Sequence, residues 1–358
     1  PEPYGPRGEE RQREVEPMNF QEMNKWILSA CAFFVWGAAS VRAQQLVLRF
    51  GSDKTFKIAQ FTDMHLDPSK PRRLAEAEKT FARLDRILAT ERPDLVVFTG
   101  DVVTGKPAAE GWKRVLAPVA ERNLPFCVVL GNHDAEQDIP RAGIGRIVTS
   151  YAGTLNTLNA DGELADVVLE IAGKKSPAAL LYCLDSHDYS TVEGIDGYGW
   201  FTQDQIRWYR DRSAAYTGAN GGKPLPALAF FHIALPEYVA AWRNPDNTHI
   251  GRAAEDECPG ELNPGMFAAM VESGDVTGVF VGHDHDIDYV VAEKGIALGY
   301  GRFSGDDTTY NNLRPGVRLL VLTEGERGFE TWIHERDGRI VDHVEFRDGR
   351  ISKVKNSN

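Results

Sequence analysis

The stretch FKIAQFTDMH, residues 56–65, decides the fold. Residues 56–61 form a short, mainly apolar run, which predicts a β-strand. The predicted strand leads directly into Asp63 and His65, whose side chains are common metal ligands. A buried strand that ends in such residues is typical of the ligand-binding edge of a layered α/β domain.

Further apolar runs end in polar residues of the same kind: residues 95–98 lead to Asp101, 126–130 to Asn132, His133 and Asp134, 228–231 to His232, and 276–281 to His283 and His285. The carboxyl ends of parallel strands form the binding crevice of an open sheet, so these residues are expected to meet. Five of the nine histidines lie at predicted strand ends. A structural hydrogen bond would explain one such histidine, whereas five among carboxylates predict a metal site. Because strand side chains alternate, Asp63 with His65, and His283 with His285, are expected to share a side.

Short apolar runs alternate with longer amphipathic stretches after Gln44, which indicates a layered α/β architecture. Spaced apolar residues between Pro71 and Pro93 predict a helix and, with the strands on either side, a βαβ unit. Thr202 and Gln205 have the spacing of a capping box, which predicts a helix to about Tyr216. Asn263-Pro264 predicts the start of another helix, which runs towards Glu272.

The end of the chain predicts hairpins that close the sheet, because Asp337-Gly338 and Asp348-Gly349 separate short alternating segments. The sequence shows no internal repeat, no low-complexity tract and no linker. The simplest division is therefore one domain at residues 45–346, followed by a C-terminal tail at residues 347–358.

The first 43 residues have the composition of processing sequence. Residues 1–22 are polar and charged and are predicted to be a disordered upstream extension. Residues 23–43 combine a basic start, an apolar segment and a small-residue cleavage site, which predicts a signal peptide and export to the periplasm or the outside of the cell. The apolar segment is too short for a stable membrane span. Residues 28–31 also resemble a lipoprotein box, so a lipid anchor at Cys31 is the alternative.

The chain carries a formal charge of −12, with 52 Asp and Glu residues against 40 Lys and Arg residues. Proteins that bind extended nucleic acid need a basic surface, and this balance argues against one. A small phosphorylated substrate is compatible with the acidic chain, because bound metal ions supply positive charge locally.

The order Asp-x-His, Gly-Asp, Gly-Asn-His-Asp, His, Gly-His-x-His between Asp63 and His285 resembles that of the calcineurin-like metallophosphoesterases. Residues 230–233, 282–285 and 299–302 look closest to the purple-acid-phosphatase-like branch of that superfamily. The purple enzymes have a tyrosine ligand where this chain has Thr104, so a purple iron–tyrosinate centre is not expected. The resemblance implies an α/β fold, a four-layer α/β/β/α sandwich of two mixed sheets flanked by helices.

The resemblance also implies a centre with two metal ions. The ligands of the first ion would be Asp63, His65, Asp101 and His285, and those of the second Asp101, Asn132, His232 and His283. Asp101 would bridge the ions, since a shared carboxylate keeps two cations about 3.5–4 Å apart. Mixed imidazole and oxygen ligands suit iron, manganese or zinc.

By the same resemblance His133 is the general acid that protonates the leaving-group oxygen, a role that suits imidazole near neutral pH. Asp134 would orient His133 or would be a turn residue. Asn132 and Arg302 would contact the substrate phosphate, Arg302 from a glycine-rich turn. His187, which follows another apolar run, would either line the cleft and contact substrate or face solvent.

Together these expectations describe a hydrolase in which a metal-bridging hydroxide attacks a phosphate ester, in the simplest case a phosphomonoester. Two alternatives stay open. The same site could cleave phosphodiesters or nucleotides, and faster turnover of a diester would favour that interpretation. The chain could also be a non-catalytic binding module that retains the fold. Such a module usually lacks ligands or the acid, and none is missing here.

Overall fold

The structure is a computed structural model that describes residues 46–354, apart from 68, 70 and 307–311. The predicted upstream extension, the signal peptide and the alternative lipid anchor at Cys31 lie outside the described residues and stay predictions. Among the residues that are described, no helix combines the length and the apolarity that crossing a bilayer requires.

Within the described residues the first sheet has eight strands, and its centre is parallel. Its order across the sheet is β1 (Leu48–Arg49), β5 (Val167–Ala172), β6 (Pro177–Cys183), β7 (Ala227–Phe230), β9 (Val276–Val281), β11 (Ile296–Tyr300), β10 (Val290–Glu293) and β8 (His249–Ile250). Antiparallel pairing of β5 with β6 and of β10 with β11 makes the sheet mixed.

The second sheet, in the part of the chain that the structure describes, has seven strands and is also mixed. Its order is β15 (Arg350–Lys353), β14 (Ile340–Arg347), β13 (Gly328–Glu335), β12 (Gly316–Thr323), β2 (Thr55–Phe61), β3 (Leu95–Thr99) and β4 (Phe126–Val129). The strands β2, β3 and β4 are parallel, whereas the remaining neighbours pair antiparallel.

Helices cover the outer face of each sheet. They are α1 (Pro71–Glu91), α2 (Ala108–Glu121), α3 (Arg141–Thr149), α4 (Gln203–Ala219), α5 (Glu237–Arg243) and α6 (Met266–Ser273). One hydrophobic cluster joins α1, α2 and α3 to the second sheet, and another joins α4, α5 and α6 to the first. A third cluster lies between the sheets and contains Cys127 and Cys183. The predicted four-layer α/β/β/α sandwich is therefore confirmed.

Local sequence signals place several element ends. The capping box at Thr202 and Gln205 is present, and the helix that it starts continues to Ala219. The predicted helix at Asn263-Pro264 begins later, at Met266, because Gly265 has φ +99° and cannot be part of a right-handed helix.

The expected domain boundary at residue 346 is wrong, because it falls inside the last hairpin. Asp348 and Gly349 have φ angles of 52° and 74°, as a two-residue hairpin turn requires. The chain therefore returns to the second sheet as β15, which pairs with β14.

Candidate metal centre

Strands of both sheets bring the predicted ligands together. Asp63 and His65 follow β2, Asp101 follows β3, Asn132 follows β4, His232 follows β7, and His283 and His285 follow β9. Asp63, His65 and His285 form a first group, and Asp101, His232 and His283 form a second. Within each group the ligand atoms lie no more than 4.8 Å from one another.

Asp101 belongs to the second group and also faces the first. Its Oδ2 atom is 3.3 Å from Nε2 of His232 and 3.6 Å from Nε2 of His65. Its other oxygen, Oδ1, accepts a hydrogen bond of 2.9 Å from the backbone N–H of His133. One oxygen of this carboxylate is thus fixed by the backbone, and the other faces both groups.

The remaining ligand atoms converge on the same space. The Nε2 atoms of His65 and His285 are 2.9 Å apart, and Oδ1 of Asp63 is 3.6 Å from Nε2 of His285. The side-chain oxygen of Asn132 lies 3.2 Å from Nε2 of His232. Asn132 therefore joins the second group.

The backbone is left-handed at four of the seven ligands, and strand alternation does not explain how they converge. Asp63, His65, Asp101 and His283 have φ angles of 49°, 44°, 50° and 76°. Left-handed non-glycine residues are uncommon and cluster at functional sites. The expectation that His283 and His285 share a side is wrong, because the strand ends at Val281 and the two rings enter different groups.

Hydrogen bonds from neighbouring residues orient the ligands. Nδ1 of His232 donates to the carbonyl oxygen of Thr99 at 2.8 Å, which leaves Nε2 directed at Asp101. Oδ2 of Asp63 accepts from the Thr62 hydroxyl at 2.7 Å and from the His283 N–H at 3.1 Å. Its Oδ1 stays directed at the histidines of the first group.

The protonation states of His65 and His285 suit metal binding. Burial lowers the pKa of His65 to about 3 and that of His285 to about 4, so both imidazoles are neutral at physiological pH. Neutral imidazole is the form that binds metals. Burial also opposes the charged form of His232, but the Asp101 carboxylate outweighs it and raises the pKa to about 10. A cation bound at Asp101 would neutralise that carboxylate in place of protonated His232.

The donor set fits two metal ions. Asp63 and Asp101 are each 1% exposed, and burying two carboxylates this close together is costly unless cations balance them. Atoms bound about 2.1 Å from one cation lie about 3–3.5 Å apart, which is close to the separations seen here. The first group would hold one ion, the second group with Asn132 would hold the other, and Asp101 would contact both.

Comparison with known proteins agrees with this geometry. The sequence profile described as Calcineurin-like phosphoesterase matches residues 56–286, a range that contains every ligand named above. The chain belongs to the calcineurin-like phosphoesterase family. Members of this family use a dinuclear metal centre.

Relatives in the family include plant and yeast proteins. The Arabidopsis thaliana protein named "Probable inactive purple acid phosphatase 29" is 32% identical over 292 residues, which cover 72% of this chain and 74% of the relative. "Phosphatase DCR2" of Saccharomyces cerevisiae is 29% identical and covers 82% of this chain and 56% of its own length. A dimetal phosphatase from Danio rerio has the same fold, with a TM-score of 0.58 at 13% identity over 82% of this chain and 99% of that one.

In this calcineurin-like chain Asp134 does not orient His133 and instead takes the alternative role, that of a residue that binds the backbone of the turns. Its carboxylate accepts hydrogen bonds of 2.8–3.1 Å from the backbone N–H groups of Asp101, Val102, Val103 and Gly131. Asp134 thus fixes the two loops that carry Asp101 and Asn132. The ring of His133 is held instead by Glu136, whose Oε2 lies 2.7 Å from Nδ1.

The expectation that Arg302 contacts the substrate phosphate is wrong. Arg302 is 2% exposed, and its guanidinium donates to Asp288, to Glu335 at 3.2 Å and to the carbonyl oxygen of Arg314 at 2.6 Å. A buried charge needs such partners, and they use its donors inside the protein.

His187 is not brought to the metal ligands. Its Nε2 lies 2.8 Å from Oε1 of Gln205, and it lines a cavity of about 570 Å³ with acidic neighbours that include Asp166 and Asp185. Two residues further on, Tyr189 does reach the centre and accepts a hydrogen bond of 3.1 Å from the Asn132 amide.

Sequence reasoning missed Glu136, Tyr189 and Tyr198. The ring of Tyr198 lies 4.3 Å, centroid to centroid, from that of His283. A carboxylate three residues after His133 was a usable signal, since a turn places such residues side by side. Nothing local marks the two tyrosines, because they reach the centre from a loop that is distant in sequence.

Proposed function

We propose that this chain is an active two-metal phosphoesterase that hydrolyses phosphomonoesters. The observation that carries the proposal is the position of Asp101, whose Oδ2 lies 3.3 Å from a histidine of one group and 3.6 Å from a histidine of the other. A carboxylate placed in this way is what two cations need to be held as a pair.

Different residues of the chain have different roles in the proposed reaction. Bound metal ions supply Lewis acidity, which activates water and neutralises the charge of the phosphate. Asn132 lies beside the second group, where its side-chain amide is placed to contact the substrate phosphate. His133 protonates the leaving-group oxygen from Nε2, since its Nδ1 is held by Glu136. The ring of His133 lies 5.9 Å, centroid to centroid, from that of His65, which places it at the edge of the metal centre.

The first test is turnover by metal-reloaded protein. The chain is stripped of metal, reloaded with iron, manganese or zinc, and assayed with p-nitrophenyl phosphate and with bis(p-nitrophenyl) phosphate. We expect faster cleavage of the monoester with at least one metal. Faster cleavage of the diester would replace the proposal with a phosphodiesterase. Two bound metal ions without turnover of either ester would indicate a non-catalytic binding module.

The second test separates metal binding from proton transfer. Asp101→Asn is expected to lose metal and activity together, because the bridging charge is removed. His133→Ala is expected to keep two metal ions and to lose about 10²–10⁴-fold in kcat, the usual contribution of a general acid. Metal analysis beside initial rates distinguishes the two variants. Equal metal loss in both would contradict the division of roles.

Relatives named "Probable inactive purple acid phosphatase" make these assays informative. The present chain has both metal-binding groups and a histidine held beside them. The proposal of activity is supported by this complete set of side chains, and the turnover assay decides it.

A further inference from the structure

A chain of hydrogen bonds links the imidazole of His133 to the metal ligand Asn132 through side chains that the family motifs do not include. Oε2 of Glu136 lies 2.7 Å from Nδ1 of His133. The other oxygen of Glu136, Oε1, accepts a hydrogen bond of 2.9 Å from the hydroxyl of Tyr189. The same hydroxyl accepts from Nδ2 of Asn132 at 3.1 Å.

This arrangement sets which nitrogen of His133 faces the centre. An ionised carboxylate only accepts hydrogen bonds, so Glu136 requires a proton on Nδ1. Nε2, on the opposite side of the ring, makes no hydrogen bond with any residue in the described part of the chain. Nε2 is therefore the nitrogen left to face a substrate.

The carboxylate of Asp134, the alternative partner for His133, is already used in other hydrogen bonds. It is 0% exposed, and both of its oxygens accept backbone N–H groups of the loops around Asp101 and Gly131. Glu136 is the carboxylate that touches the ring. Its side chain is 40% exposed and that of His133 is 38% exposed, so the contact contributes little to stability and acts mainly on orientation.

We propose that Glu136 is the positioning residue for His133, and that Tyr189 fixes the position of Glu136 relative to Asn132. The inference rests on the proposed function, because it assigns a partner to the proton donor of that reaction. Glu136 keeps Nε2 directed at the leaving-group oxygen. Tyr189 connects Glu136 by hydrogen bonds to the amide of Asn132, a metal ligand.

The kinetic test uses the dependence of rate on the leaving group. A general acid matters most when the leaving group is poor, so phenyl phosphate depends on it more than p-nitrophenyl phosphate does. We expect Glu136→Ala to lower kcat about 10–100-fold for phenyl phosphate, the range for a misplaced catalytic group. The loss should be several-fold smaller for p-nitrophenyl phosphate, with KM and metal content unchanged.

Three further variants test the same inference. Glu136→Gln keeps an acceptor for the Nδ1 proton and should restore most of the rate with phenyl phosphate. Tyr189→Phe removes the hydroxyl that joins Glu136 to Asn132 and should cause an intermediate loss. Glu193→Gln serves as the control, because Glu193 is an exposed glutamate of the loop that carries Tyr189 and its side chain forms no hydrogen bond or ion pair with the described residues. Equal losses with both esters, or loss of metal in Glu136→Ala, would overturn the inference.

A second measurement does not depend on turnover. ¹⁵N chemical shifts of the His133 ring report which nitrogen carries the proton. We expect a protonated, hydrogen-bonded Nδ1 in the unmodified chain and in Glu136→Gln, and loss of that signature in Glu136→Ala. An unchanged ring in Glu136→Ala would overturn the inference. An unmodified chain that shows the signature but cleaves no ester would instead overturn the proposed function alone.

Discussion

Gly282 shows how little space the residues around the metal ligands leave. A Cβ atom at this position would lie 2.0 Å from the Thr62 hydroxyl, 2.7 Å from Oδ2 of Asp63 and 3.1 Å from the Thr99 carbonyl oxygen. The Thr62 hydroxyl is the group that donates to the same Oδ2. A side chain at residue 282 would therefore push on Asp63 and on the hydrogen bond that orients it.

Gly282→Ala is predicted to weaken metal binding at the first group and to lower the free energy of unfolding by about 1–3 kcal/mol, as overpacking does. Metal titration and urea unfolding measure the two effects. Gly218→Ala is the control, because a Cβ at that position in α4 meets nothing within 4 Å. The prediction fails if both variants bind metal as tightly as the unmodified chain.

At the scale of elements, Glu91 joins a helix to two strands. It is the last residue of α1, and its carboxylate contacts Nζ of Lys57 on β2 at 3.1 Å and Nδ1 of His334 on β13 at 2.7 Å. The hydrogen bond from His334 lowers the pKa of Glu91, and Lys57 acts in the same direction. The ionised carboxylate thus ties the carboxyl end of α1 to the second sheet.

The pH dependence of stability follows from the direction of this shift. A lowered pKa in the folded state contributes stability above the unfolded value of about 4.3, and the contribution disappears as pH falls through the folded pKa. Glu91→Gln is predicted to lose about 1 kcal/mol at pH 7 and progressively less below pH 4. Urea unfolding of both proteins between pH 7 and pH 3.5 measures the difference. A difference that stayed constant or grew towards low pH would contradict this role of Glu91.

At the scale of the whole molecule, the metal centre joins the two sheets. Asp63, Asp101 and Asn132 follow strands of the second sheet, whereas His232, His283 and His285 follow strands of the first. Each group contains ligands from both sheets. Metal bound there would link the layers at one edge, in addition to the hydrophobic cluster between them.

Metal is therefore predicted to stabilise the fold. A ligand that binds only the folded state adds about 2.7 kcal/mol when its free concentration is 100-fold above Kd. Thermal unfolding with and without added metal, and after treatment with a chelator, measures the shift in Tm. Asp101→Asn should unfold at a temperature that does not change with metal. An equal metal-dependent shift in that variant would show that the stabilising ions bind elsewhere.

The sequence by itself determined the layered α/β class and the ends of some elements, because these depend on local patterns, whereas the two-sheet, four-layer arrangement came from the resemblance to the family. Apolar runs specify the strands, and the capping box at Thr202 starts α4. Asp348-Gly349 makes the hairpin turn before β15. The order of ligand types from Asp63 to His285 was also visible, since each cluster follows its own strand.

Only the tertiary structure decided where side chains point and which partners they meet. The family resemblance places His283 and His285 at different ions, but strand alternation does not, because the chain leaves the strand before them and His283 is left-handed. Arg302 turns inward to Asp288 and Glu335, and Tyr189 reaches Asn132 from a loop 57 residues away. Such contacts depend on backbone angles beyond the regular elements and on neighbours supplied by distant segments, and no local pattern encodes either.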